Sequence, residues 1–337
     1  MKRTKLYVIA LAVLAMSLIV WQRNTVVQNE DTDLLLPGLS ENLARLETIE
    51  IRSGDEVISL ELKEGRWLIV EKDAYPADFS MLSALTDSLA KARLLEKKTA
   101  RAKNFNLLDV NDIEADGSKS HLVSGVAGDY SFSMLIGKAA IGRTGQFVRD
   151  PGEQQVWLTN NNIEVNGAVS AWLDPIILNV EASKILRIEQ IDGAGEHQFT
   201  IEREGDKFML VDLPDDRELK YATVVNEVAG SLSRVSLVDA QLHDPERWIS
   251  GTSSIFHLAD SVTITVRAVD VADEKWLHIE AESTNETLES GDLADLNLSY
   301  LKRWDYKVAK YTFDDFVKRR EDLLDDVKMA EAEVRAE

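Results

Sequence analysis

The first hydrophobic pattern along the chain is continuous rather than periodic. Leu6 to Trp21, LYVIALAVLAMSLIVW, runs 16 residues without a charge, roughly 24 Å of helix at about 1.5 Å per residue. A hydrocarbon core is about 30 Å thick. Thr4, Lys5, Gln22 and Arg23 close the difference, because Lys5 and Arg23 can snorkel to the two interfaces. Tyr7 and Trp21 stand near the ends, where amphipathic aromatics prefer the headgroup layer. Lys2, Arg3 and Lys5 precede the run, only Arg23 follows closely, and acidic residues begin at Glu30. Positive-inside bias then predicts residues 1–5 in the cytoplasm and everything past the run on the far side of a bilayer. The competing reading is a cleaved signal peptide. Its small-residue pairs, Ala10 with Ala12 and Ala15 with Ser17, are followed by the still apolar Leu18-Ile19-Val20-Trp21, which favours an uncut anchor. A buried core helix would need a polar face, and this run has none.

Beyond residues 23–38, a polar linker ending in Pro37-Gly38, the pattern turns periodic and repeats. Copy one opens on Ile49-Glu50-Ile51-Arg52, turns at Ser53-Gly54-Asp55, and continues as Ile58-Ser59-Leu60-Glu61-Leu62-Lys63, the alternation of a half-buried strand. Glu64-Gly65 turns into Trp67-Leu68-Ile69-Val70. Tyr75-Pro76-Ala77-Asp78 then leads to a helix with Leu82, Leu85, Leu89 and Ala92 on one face and Asp78 as N-cap. Copy two follows the same order: Leu186-Arg187-Ile188, a turn at Asp192–Gly195, Phe199-Thr200-Ile201-Glu202, a turn at Glu204-Gly205, Phe208-Met209-Leu210-Val211, then a helix with Val225, Val228, Leu232 and Val235 on one face. The pairs Ile49/Ile188, Leu62/Ile201, Gly65/Gly205, Trp67/Phe208 and Leu82/Val225 are offset by 139, 139, 140, 141 and 143. Each change falls in a turn, where insertions are tolerated.

The later part of each copy also reads as strands. Phe132, Met134 and Ile136 alternate in copy one, followed by Phe147-Val148-Arg149 and Val156-Trp157-Leu158 around the turn Asp150-Pro151-Gly152-Glu153. Val262, Ile264 and Val266 alternate in copy two, followed by Trp276-Leu277-His278-Ile279. Each copy closes on a tryptophan, at Trp172-Leu173-Asp174 and Trp304-Asp305-Tyr306. A last helix is expected from Thr312-Phe313-Asp314-Asp315, with Phe313, Phe316, Val317, Leu324 and Val327 on one face. The fold class is therefore α+β: an anchor over 1–22, two β-β-β-α-β-β-β units of mostly antiparallel sheet over 39–175 and 176–328, and a charged tail over 329–337.

Composition narrows the function classes. The 337 residues carry 38 basic and 59 acidic side chains, a formal charge of −21. That balance argues against a nucleic-acid partner, which needs a basic face. The absence of cysteine removes disulfides, thiol nucleophiles, iron–sulfur clusters, cysteine-ligated zinc and, after the apolar run, a lipoprotein. The histidines His121, His197, His243, His257 and His278 stand at no metal-ligand spacing, and no phosphate-binding glycine loop occurs. Asp112-Ile113-Glu114-Ala115-Asp116-Gly117 matches the first half of a calcium loop, but its twelfth position is Val123 rather than a bidentate Glu; a solvated acidic turn is the expectation. Acidic pairs such as Asp215-Asp216 and Asp314-Asp315 lie in polar surroundings, which do not split carboxyl pKa values for acid–base work. Six tryptophans past the anchor recur within the copies, which favours packing over a ligand groove. No enzyme, catalytic residue, metal or cofactor is expected.

Gly65-Arg66-Trp67, Tyr75-Pro76-Ala77-Asp78, Ile136-Gly137-Lys138, Phe147-Val148-Arg149 and Val156-Trp157-Leu158, in that order behind a single membrane helix, resemble the bacterial family called domain of unknown function 4340. Trp304-Asp305-Tyr306 to Leu323-Leu324 resembles its carboxyl end. Asn106 stands where that family suggests glycine, and Asn also tolerates a left-handed backbone. The resemblance implies an accessory component of ABC-type export systems without established activity. Taken together, the expectation is a single-pass inner-membrane protein whose body is periplasmic and binds envelope proteins, such as an ABC-type transporter. The alternative is a periplasmic sugar- or peptide-binding module using exposed aromatics.

Overall fold

The computed structural model describes residues 33–259, 261–283 and 298–325. The expected anchor, with Leu6, Trp21 and the flanks Lys2, Arg3, Lys5 and Arg23, lies outside these residues, as does the tail. Among the described residues no helix is long and apolar enough to cross a membrane.

The first half of the chain builds strands β1 (Thr48–Ser53), β2 (Glu56–Lys63), β3 (Arg66–Ile69), β4 (Tyr75–Pro76), β5 (Leu94–Lys97), β6 (His121–Ala127), β7 (Tyr130–Ala139), β8 (Gln146–Arg149) and β9 (Val156–Thr159). A short pair, β10 (Ile176–Leu178) with β14 (Val235–Ser236), sits apart. The second half supplies β11 (Ile185–Ile191), β12 (His197–Glu204), β13 (Lys207–Leu210), β15 (Asp239–Leu242), β16 (Thr252–Leu258), β17 (Val262–Val271), β18 (Glu274–Ser283) and β19 (Trp304–Lys307). Sheet one runs β4-β3-β2-β1-β6-β7-β8-β9-β5 and sheet two runs β13-β12-β11-β16-β17-β18-β19-β15. Every pairing between these strands is antiparallel. With β4 set aside, the strand orders of the two sheets correspond one for one.

Local chemistry accounts for the best-formed elements. Helix α1 (Phe79–Lys91) starts where the Asp78 carboxylate accepts from the amides of Ser80, at 2.9 Å, and Met81, at 3.2 Å, satisfying donors that the first turn leaves free. Its face of Leu82, Leu85 and Leu89 is buried, and the chain leaves the helix at the buried Ala92. The β2–β3 hairpin closes through Glu64 and Gly65, both at positive φ, as a two-residue turn with the right-handed twist of its strands requires.

Several expectations need correction. The units hold more strands than β-β-β-α-β-β-β. Strands β6 and β16 fill the centre of each sheet, and β4, β5 and β15 lie toward the edges. The sequence HLVSGVA of β6 hides its strand character behind Ser124 and Gly125. The second helix, α2 (Val224–Ala229), is half the length expected: it gives way to a 3₁₀ turn at Gly230–Leu232, and Val235 belongs to β14. A run of β-branched valines ending at glycine is a weak helix former. The ladder puts Leu60 opposite Ile49 and Ile201 opposite Ile188. Leu60, not Leu62, therefore matches Ile201, because the β11–β12 turn is two residues longer. Trp172 and Trp304 are not matched either. Trp304 opens β19 inside sheet two, whereas Trp172 ends a 3₁₀ turn and its carbonyl accepts from the Asp78 amide. The expected carboxyl-terminal helix is two short ones, Lys310–Asp314 and Arg320–Leu323, and the first starts before Thr312, at the Ala309 cap.

One hydrophobic core runs through both halves. At the join, Tyr75 packs edge-on against Trp304 with ring centroids 5.1 Å apart. Lys72 pairs with Asp239 at 2.5 Å, and Arg303 donates to the Asp73 carbonyl at 2.9 Å.

Candidate functional site

The inner face of each sheet holds the common core. Near β8–β9 and near β18–β19 the outer faces are also covered, each by the segment that follows the last edge strand in sequence. In sheet two this cover is Asp244–Trp248. The Asp244 carboxylate accepts from the Glu246 amide at 3.1 Å, and Pro245 starts the turn. Beneath it lie His278 of β18 and Asp305 of β19, which are cross-strand partners, so both side chains leave the same face.

Asp305 is fully buried, and its two oxygens are heavily used. Oδ1 accepts from His243 Nδ1 at 2.7 Å and from Trp248 Nε1 at 3.0 Å. Oδ2 accepts from the Asp244 amide at 3.0 Å and from Arg247 Nη1 at 2.7 Å. His278 Nδ1 lies 3.2 Å from Oδ1 and 3.0 Å from the Trp304 carbonyl. Both acceptors can only receive, so each imidazole carries its proton on Nδ1. The two rings stack with centroids 3.8 Å apart, and the Arg247 guanidinium lies 4.4 Å over the Trp276 ring. Burial pushes the Asp305 carboxyl up, but the hydrogen bonds from His278, His243, the Asp244 amide and Trp248 outweigh it and hold the group below the ordinary carboxylate range.

His243, His278 and Asp305 are the one group of metal-ligating side chains that converge among the described residues. Their chemistry fits poorly with an ion. The carboxylate lone pairs are already taken by donors, and a guanidinium cation shares the site. The arrangement is that of a buried anion fastening a loop. A second line of polar groups lies on the half-open surface of sheet two, with Glu189 3.0 Å from His257 Nε2 and Thr263 3.4 Å from His257 Nδ1. Arg187 also claims Glu189, at 3.0 Å, so this line reads as a surface charge network.

Sheet one carries its cover differently. Phe105 and Val110 of the segment after β5 bury Val156 in a small separate cluster. Arg149, buried on β8, donates to the carbonyls of Val110 and Glu153, both at 2.9 Å, and to Asp112 at 2.5 Å, with its guanidinium 4.5 Å over the Phe105 ring. The half-match to a calcium loop is thereby spent: Asp112 serves Arg149, and Glu114 faces Arg52 at 3.4 Å.

Four of the six described tryptophans, Trp172, Trp248, Trp276 and Trp304, are buried; Trp67 and Trp157 are half-buried. Trp157 borders an open cleft of about 310 Å³ beside the entering segment Asp33–Pro37. Spacing along the chain could not reveal the Asp305 cluster, because His243, His278 and Asp305 are spread over 62 residues and meet only through sheet pairing.

The family described as Domain of unknown function (DUF4340) matches residues 67–246, from β3 in sheet one to the cover of sheet two. The match spans more than half of the chain, and the chain belongs to that family. No curated protein matches it.

Proposed function

We propose that this chain is a single-pass, membrane-anchored, non-enzymatic accessory protein of the bacterial inner membrane. Its body is periplasmic and binds envelope proteins, with an ABC-type transporter as the partner suggested by the family resemblance. The observation that carries the reading is the uncharged run Leu6–Trp21 behind Lys2, Arg3 and Lys5. Two further observations support it. The polar cluster around the buried Asp305 is consumed in holding a loop, and most of the tryptophans serve packing rather than a groove, which weighs against sugar or peptide binding. We also read the two sheets as copies of one unit, on the strength of their corresponding strand orders. Purification of the full chain from detergent-solubilised bacterial membranes tests the proposal. Recovery of a transporter subunit or another envelope protein in stoichiometric amount is expected; the intact chain recovered alone would count heavily against it.

A further inference from the structure

One end of the described body is rich in basic residues. Residues 91–103 hold Lys91, Arg93, Lys97, Lys98, Arg101 and Lys103 against a single acid, Glu96. Arg143, on the connection between β7 and β8, reaches the same place and pairs with Glu96 at 2.8 Å; Lys138 stands exposed on β7 just before that connection. Large apolar side chains stand out of this end. Ile141 is 94% exposed, Leu107 60% and Leu95 52%. Exposed cations interleaved with exposed aliphatic tips are the composition of a surface that meets anionic headgroups.

Two placements say which surface it meets. The described chain enters here: the Leu94 amide donates to the Asp33 carbonyl at 3.0 Å, and Leu34 bridges to Arg93. Only residues 22–32 separate Asp33 from Trp21, a reach of at most about 40 Å, so an anchored chain holds this end near the bilayer at high effective concentration. The corresponding turn in sheet two, where β17 meets β18, holds Asp270, Asp273 and Glu274 instead, paired with Lys275 and Lys307. An anionic bilayer therefore attracts the sheet-one end of the molecule more than the sheet-two end.

From this placement we infer that the β5 edge and the β7–β8 connection form a docking face for an anionic lipid surface, which lays the body down with sheet one toward the membrane. The inference rests on the anchored reading above. The chain has no cysteine, so Ile141→Cys on the β7–β8 connection and Val271→Cys at the end of β17 place single environment-sensitive fluorophores at the two corresponding ends. The full-length variants are reconstituted into vesicles of phosphatidylcholine, with or without phosphatidylglycerol, and floated on a density gradient. The label at 141 is expected to be quenched several-fold more than that at 271 by a lipid-borne quencher, only with phosphatidylglycerol present, and to lose the difference in high salt. The triple variant R101E/K103E/K138E changes exposed side chains that make no ion pair among the described residues; it is expected to float normally and lose the quenching. A chain that floats while position 141 is quenched no more than position 271, or equally in phosphatidylcholine alone, overturns this inference and spares the anchor. A chain that fails to float overturns both.

Discussion

The two sheets solve one packing problem with opposite chemistry. Each leaves the outer face near its penultimate strands to be covered by the segment after an edge strand. In sheet one the charge is on the sheet: Arg149 of β8 reaches out to backbone carbonyls and Asp112 of the cover. In sheet two the anion is on the sheet and the cation on the cover: Asp305 of β19 receives Arg247, His243 and Trp248. Both arginines also stack on an aromatic ring, Phe105 or Trp276, which adds to the ionic contact. The architecture fixes that a clasp is needed; the side chains that form it are interchangeable. What differs is the consequence of failure. Asp112 is 63% exposed and can turn to water when Arg149 is lost, whereas the donors that Asp305 would leave include the buried His278 and Trp248.

That difference can be broken experimentally. Asp305→Ala is expected to cost the most, about 3–5 kcal/mol, because it strands a partly buried guanidinium together with the buried donors of His278 and Trp248. Urea unfolding reads it as a lowered midpoint, and a loss under about 1 kcal/mol would mean that the clasp is not holding the loop. Arg149→Ala is expected to cost about 1–3 kcal/mol in the same assay; a cost equal to that of Asp305→Ala would erase the asymmetry. Gly137→Ala sharpens the sheet-one side. A Cβ there would stand 2.2 Å from the Leu108 carbonyl oxygen, so about 1–3 kcal/mol of overpacking is expected, whereas the same change at Gly230, where nothing lies within 4 Å, is expected to be close to neutral.

The smallest expected effect is on pH dependence. Asp305 binds a proton less readily folded than unfolded. Its contribution is therefore complete above the unfolded value, near 3.8, and is lost as pH falls through the depressed folded one. Burial also lowers the pKa of His121, whose Nδ1 is buried without a partner. It contributes a loss at higher pH, as acidification passes the ordinary value of 6.5. Asp305→Asn is expected to flatten the more acidic limb and leave the His121 limb unchanged; an unaltered acid limb would show that other carboxylates control it.

How much of this was legible in the residues depends on range. Local devices were plain: the Asp78 cap, the Leu82-Leu85-Leu89 face and the alternation of β2 all follow from a few consecutive positions. The correspondence between the halves was legible at Ile49/Ile188 and Trp67/Phe208. It slipped by two residues at Leu62/Ile201, because the longer turn at Asp192–Glu196 leaves no mark in hydrophobicity. Gly125 shows why β6 does not read as a strand. It opposes Phe132, whose ring lies 2.6 Å from where a Cβ would be. In sheet two the corresponding pair is Phe256 with Ile264, so the bulk has changed strands and glycine stands in β6 where β16 has an aromatic. The Asp305 cluster was hidden for a further reason: its members share neither spacing nor periodicity until β18 and β19 pair.

The membrane topology can be measured directly. A periplasm-active reporter and a cytosol-active reporter are fused in turn after Glu337 of the full-length chain and expressed in a bacterial host, with carbonate extraction of the membranes in parallel. The account predicts activity of the periplasmic reporter alone and a chain that resists extraction until detergent is added. Activity of the cytosolic reporter, or a full-length chain released by carbonate, would contradict it.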